Sequence, residues 1–236
     1  MTGAPPPSGP VAFDRAMAER YDARNAPLAP ISDALHFLAR LALADLPDAA
    51  RALCVGVGTG ADILALAHAR PGWRFVGVDP SAEMLAVCRE RLAAAGVLDR
   101  CELIAGDVSA APEGEAAGFD AALSLLVAHF IPREARPGFY GAVRDRLRPG
   151  GRFLTAEICA DLDAPAFPAQ LRDWAQVQAL MGATPESLAA LPEMLRDRLS
   201  VLAPAETDAL IAEAGFAAPV PFFRAALIRG VHATRR

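Results

Sequence analysis

From Arg51 onward, short apolar runs alternate with stretches in which apolar residues recur every three or four positions. The runs predict strands near 51–56, 73–78, 101–106, 119–125 and 151–158. The periodic stretches between them predict helices near 60–69, 81–95 and 134–148, and "RLRPGG" at 146–151 stops the last of these before the strand "RFLTAEI". Such alternation is the pattern of a parallel sheet flanked by helices. Upstream, residues 12–45 carry helical periodicity, interrupted at Pro27 and Pro30. In "SDALHFLARLAL", Ser32 or Asp33 is placed to cap a helix whose apolar face holds Leu35, Leu38, Leu41 and Leu43. Residues 160–203 break the rhythm with two helical stretches, "FPAQLRDWAQVQALMG" and "PESLAALPEMLRDRLS", which form either a lid or core cover. "PAETDALIAEAGF" at 204–216 reads as a capped helix stopped by Gly215, and "PVPFFRAALIRGVHA" as two helix-free strands that pair antiparallel. The expected organisation is a disordered leader over 1–11, an N-terminal helical cap over 12–48, and an α/β core over 49–236 that includes the insertion at 160–203.

Composition narrows this picture. A chain of 236 residues with 53% apolar content can bury a substantial core, yet no apolar run approaches the roughly 20 residues needed to span a bilayer. "MTGAPPPSGPVAF" has Pro and Gly where a signal peptide carries basic and then apolar residues, so a cytoplasmic setting is expected. The net charge of −5 comes from scattered charges of both signs, which argues against nucleic acid as partner. All 23 basic residues are Arg; without lysine, Schiff-base chemistry is excluded. The cysteines Cys54, Cys88, Cys101 and Cys159 and the histidines His36, His68, His129 and His232 form no ligand-spaced cluster, so no metal is expected.

Candidate chemistry begins at "RALCVGVGTGADI", Arg51 to Ile63, where Gly56, Gly58 and Gly60 join a strand to a helix. Bare backbone at a helix N-terminus holds a polar ligand against unpaired N–H groups. "GVGTGA" fits a dinucleotide fingerprint, which by itself leaves the cofactor open. Asp79, at the end of "RFVGVD" and 19 positions after Gly60, can accept from both hydroxyls of a ribose, while also suiting an N-cap. Asp107, after the third strand in "CELIAGDVSAA", can accept from an adenine amino group. No second nucleotide-binding half follows.

The order of glycine turn, acid after strand two, acid after strand three and "LRPGG" before strand five resembles the class I S-adenosylmethionine-dependent methyltransferases. The resemblance covers about residues 50–160 and the remainder more loosely. It implies a Rossmann-like, doubly wound seven-stranded α/β sheet, last strand antiparallel and inserted between its neighbours, with a helical cap. It also implies S-adenosylmethionine as cofactor. On that pattern Gly56, Val57, Gly58 and Gly60 lie under the methionine part, Asp79 binds the ribose, Pro80 and Met84 flank the adenine, and Asp107 with Val108 meets its amino edge. Leu125 falls on the segment passing from cofactor to substrate, and Tyr21 reaches the cofactor from the N-terminal segment. One departure is Cys54, which stands where the family often has an acid. The stretch "MLRDRLSVLAPAETDALIAEAGF" is similar to the tail of the carboxy-S-adenosylmethionine synthases, but Pro192 stands near the place of their carboxylate-holding arginine.

The expected reaction is methyl transfer to an oxygen or nitrogen of a small, partly apolar metabolite. The sulfonium is already activated, so alignment and exclusion of water are the main demands. His129, in "LLVAHFI", titrates near neutral pH and is either a general base or a backbone-bonded histidine. Glu157, at the end of the fifth strand, orients an amine, pairs with His129, or joins a surface ion pair. Arg24 beside Tyr21 and Trp174, Met181 and Met194 in the insertion are weaker candidates, and a homodimer through the insertion is the expected assembly. Rival readings are a carboxy-S-adenosylmethionine synthase using Arg196 or Arg198, an NAD-dependent oxidoreductase, and a non-catalytic S-adenosylmethionine-binding protein.

Overall fold

Seven strands form one sheet in the computed structural model, which describes residues 15–113 and 118–236. The expected leader over 1–11 and the start of the cap lie outside the described residues. The strands are β1 (Arg51–Val55), β2 (Arg74–Asp79), β3 (Cys101–Ala105), β4 (Phe119–Leu125), β5 (Leu147–Ile158), β6 (Val220–Ala225) and β7 (Ile228–Thr234). Their spatial order is β3-β2-β1-β4-β5-β7-β6. The first five pair in parallel, and β7 runs antiparallel between β5 and β6. The sheet expected from the sequence is the one observed.

The helices are α1 (Arg15–Asn25), α2 (Ala29–Ala42), α3 (Ala61–Ala69), α4 (Ala82–Ala94), α5 (Arg136–Arg146), α6 (Phe167–Leu180), α7 (Pro185–Ala189), α8 (Leu191–Glu193) and α9 (Pro204–Glu213). Because strand side chains alternate between faces, Ala52 and Cys54 of β1 face one way and Leu53 and Val55 the other. On the first face lie α2, α3, α4 and the insertion, contributing Leu35, Ile63, Leu85 and Trp174 to a single core. On the second, α5 and α9 contribute Tyr140, Val143 and Ile211. Helix α2 of the expected cap therefore shares the main core.

Four local expectations are corrected. Helix α2 begins at Ala29 with Pro30 in its first turn, so Ser32 and Asp33 lie inside it and cap nothing; proline, lacking an N–H, suits that position. Its buried stripe is Leu35, Ala39 and Leu43, spaced four apart, while Leu41 is 55% exposed. The second inserted helix is broken into α7, α8 and a π-turn at Met194–Arg198, because Pro192 cannot donate within a continuous helix. Strand β5 starts at Leu147 rather than near 151: Leu147 pairs with Phe119, and a register shift before Ala121 absorbs the turn-prone Pro149 and Gly150.

The four cysteines are unpaired. Among the described residues, no helix is long and apolar enough to cross a membrane.

Candidate active site

Strands β1 and β4 are adjacent, but the chain leaves them toward opposite sides of the sheet. A crevice opens beyond the carboxyl ends of parallel strands at such a point. Here it is a cleft of about 450 Å³ whose lining includes Gly56, Asp79, Asp107 and Leu125 from the ends of β1 to β4.

The glycine turn is held from below. The N–H groups of Gly56 and Val57 both donate to the Val78 carbonyl, at 2.8 and 3.0 Å. Gly56 has a φ of 66°, and a Cβ there would stand 2.5 Å from Val127 Cγ2. Only glycine satisfies both constraints. A Cβ on Gly58, by contrast, would meet nothing nearer than the Gly56 carbonyl oxygen at 4.0 Å, so bare backbone faces open space. Gly60 and Val57 serve from behind: Gly60 caps α3, and Val57 is a core residue. Neither lines the cleft, so both shape the turn from below it.

Asp79 closes across this turn. Its Oδ2 accepts from Gly58 N–H and its Oδ1 from Ser81 N–H, each at 2.9 Å. Burial raises its pKa from the ordinary carboxylate value, against the two backbone donors that lower it. Each oxygen retains a lone pair for a further donor. Pro80 and Met84 follow along the same wall, and Ser81 caps α4 by accepting from Met84 N–H at 3.1 Å. Across the cleft, Asp107 Oδ1 accepts from Ser109 N–H at 2.7 Å, fixing that carboxyl beside Val108.

The N-terminal helix α1 reaches the cleft through Tyr21. Tyr21 lines the cleft, and burial together with Asp62, Asp22 and Asp79 raises its phenol pKa, keeping it a donor. Asp22 fastens α1 to the glycine turn, accepting from Thr59 Oγ1 at 2.8 Å and pairing with Arg91 at 2.9 Å. Arg24 is exposed and outside the lining. Cys54 is a buried residue of β1, with its thiol pKa pushed well up, by burial first and by Asp62 next. Asp62, in the first turn of α3, accepts from or pairs with His36 at 2.8 Å.

His129 and Glu157 do not enter the cleft. The His129 ring is buried, and its Nδ1 accepts from Ile158 N–H at 3.4 Å. Burial, and then the Arg136 charge, push its pKa down to about 3. The backbone-bonded reading is thus the one the geometry matches, and the pairing with Glu157 is absent. Glu157 pairs instead with Arg136 Nη1 at 2.6 Å, both side chains buried.

Sequence reasoning missed the apolar lip formed by Leu126, Val127, Phe130, Ile131 and Phe139. The run "LLVAHFI" carried part of that signal; Phe139, arriving on α5, carried none. Leu126 holds a φ of 61°, uncommon for a leucine, with its N–H donating to the Ala156 carbonyl at 2.6 Å. Strain of this kind concentrates at functional sites. Among the described residues that line the cleft there are three carboxylates, Asp79, Glu83 and Asp107, and no cationic side chain.

Known proteins resemble this chain in sequence and in fold. Residues 52–151 match the family described as a methyltransferase domain. The carboxy-S-adenosyl-L-methionine synthase of Campylobacter concisus (strain 13826) is 27% identical over 207 residues, 86% of each chain. Human N-acetylserotonin methyltransferase, solved with S-adenosylmethionine, superposes with a TM-score of 0.65 at 16% identity, covering 94% of this chain and 56% of its own. The mitomycin 7-O-methyltransferase superposes with a TM-score of 0.65 at 21% identity, covering 94% of this chain and 58% of its own. This chain thus spans less than two thirds of the length of either structure, and the likeness to them is one of fold.

Proposed function

We infer that this chain, of which residues 52–151 match a methyltransferase domain, is a class I S-adenosylmethionine-dependent methyltransferase that transfers a methyl group to an oxygen or nitrogen of a small, partly apolar acceptor. The observation that carries this reading is the division of one cleft into two halves. One half offers a bare glycine turn and the carboxylates of Asp79 and Asp107; the other offers the apolar lip from Leu126 to Phe139.

The residues present fit the cofactor. Open space over Gly58 admits its methionine part, Asp79 would accept from the ribose hydroxyls, and Pro80 and Met84 would flank the adenine, with Asp107 and Val108 at its edge. When bound, the cofactor supplies an activated methyl on sulfonium. Leu125, Leu126 and Val127 then stand between the two halves, where an acceptor atom must align with that methyl. The apolar lip excludes water from the approach. With His129 neutral and turned into the core, rate enhancement in this reading comes from alignment and desolvation, and Tyr21 donates a hydrogen bond rather than removing a proton. Four unpaired thiols support a reducing, cytoplasmic setting.

The carboxy-S-adenosylmethionine synthase reading rests on the relative at 27% identity. Against it, Arg196 is engaged by the Leu162 carbonyl and Asp163, and neither it nor Arg198 lines the cleft. An added carboxylate would meet no cation among the described lining residues.

Calorimetry with S-adenosylhomocysteine tests the donor half. Asp79→Ala should weaken binding by about 1–3 kcal/mol, the cost of removing one side of a buried hydrogen-bonded pair. Unchanged affinity removes the ribose role. A screen of phenols, amines and carboxylates with methyl-labelled donor tests the acceptor half: label should appear on neutral apolar acceptors. A co-purified cofactor heavier by one carboxylate would favour the synthase instead.

A further inference from the structure

The Arg136 guanidinium is fully buried, and its bonds reach four parts of the chain. Nε donates to the Ile131 carbonyl at 3.2 Å, and Nη2 to the Ser200 carbonyl at 2.7 Å. Nη1 pairs with Glu157 Oε2 at 2.6 Å and donates to the Tyr140 hydroxyl at 3.1 Å. A buried ion pair is weak grounds for stability, since apolar replacements of similar volume often serve as well. What an apolar pair cannot supply is direction, and here one bond ends on the carbonyl of the cleft-lining Ile131 and another on the Ser200 carbonyl.

Ile131 lines the cleft together with Phe130, which is 46% exposed. The short helical turn Ala128–Phe130, which Ile131 directly follows, is held at its middle residue and just past its end. Ser200 N–H donates to the His129 carbonyl at 2.8 Å, and Arg136 holds the carbonyl of Ile131. Because Arg136 also holds the Ser200 carbonyl, one planar guanidinium sets the turn and the segment that braces it. Lysine, with a single ammonium, cannot reproduce that fork.

We propose that Arg136, oriented by Glu157, is a positioning residue for the acceptor side of the cleft: it fixes the 128–131 turn so that Phe130 and Ile131 present a rigid apolar wall to the acceptor. The proposal rests on the reading of that lip as the acceptor half. Arg136 touches neither donor nor acceptor; it acts through Ile131 and Ser200.

Two variants test it, Arg136→Lys and the apolar double variant Arg136→Met with Glu157→Leu. The second removes both charges together, so no uncompensated buried ion is left behind. Hydrogen exchange followed by mass spectrometry should show the peptide over 127–132 exchanging about tenfold faster in both, with the peptide over 51–60 unchanged. Affinity for S-adenosylhomocysteine should stay within about twofold of the parent, because the glycine turn is braced separately. With the acceptor taken from the labelled-donor screen, kcat should fall on the order of tenfold to a hundredfold while KM for S-adenosylmethionine holds, as expected when only alignment is lost. Unchanged exchange at 127–132 in a folded variant overturns the proposal. So does exchange that rises everywhere with loss of donor affinity, or failure of both variants to fold, since each assigns the pair to stability alone. Failure of the parent protein to bind S-adenosylhomocysteine sinks the donor reading instead, and leaves the exchange result to decide the bracing.

Discussion

A histidine next to a predicted strand end looks the same in sequence whether it faces solvent or core. His129 faces the core, with its imidazole pKa lowered from 6.5 to about 3 by burial and by Arg136. The consequence for stability has a definite sign. The unfolded chain takes up a proton on this ring below pH 6.5 and the folded chain does not, so the contribution is complete above that pH and is lost as pH falls toward 3. The slope should approach about 1.4 kcal/mol per pH unit. Urea denaturation at pH 4 to 7 should therefore show a steeper acid loss in the parent than in His129→Gln. Equal slopes would mean that the ring is protonated inside the fold. Asp79 is the contrasting residue: its position after a strand and before a helix suited it to an N-cap, but Ser81 caps α4, and the Asp79 carboxylate accepts instead from the Ser81 and Gly58 N–H groups.

Elements were the most legible level. Period-two runs and period-3.6 stretches are written along the chain itself, so five parallel strands and the helices between them could be placed from residue spacing. The misses came where a proline decided continuity, at Pro30, Pro149 and Pro192. The glycine turn belongs to this scale too, because it joins β1 to α3 and must fit beneath the turn after β4. Gly56→Ala is expected to destabilise by about 1–3 kcal/mol, from the strained φ together with the Val127 contact. Adding Val127→Ala should recover only part of this, since the backbone strain stays. Full recovery in urea titrations would assign the cost to crowding alone.

At the scale of the whole molecule, a ligand that binds only the folded chain raises its stability by mass action. S-adenosylhomocysteine at a hundredfold excess over its Kd should add about 2.7 kcal/mol, seen as a higher Tm, whereas NAD should add nothing. A shift with NAD would revive the oxidoreductase reading. The parallel strand runs, the glycine turn and the acids after β2 and β3 were determined by the sequence alone, because each depends on spacing within one strand–turn–helix unit, whereas the order of the seven strands was what the family resemblance implied. Only the tertiary structure decided which groups face the cleft. Arg136 meets Glu157 21 positions away and Ser200 64 away, and Thr59 meets Asp22 37 away. No periodicity encodes such pairings: they exist because packed layers bring distant side chains within bonding distance, and the same packing turned His129 and Glu157 from the cleft into the core.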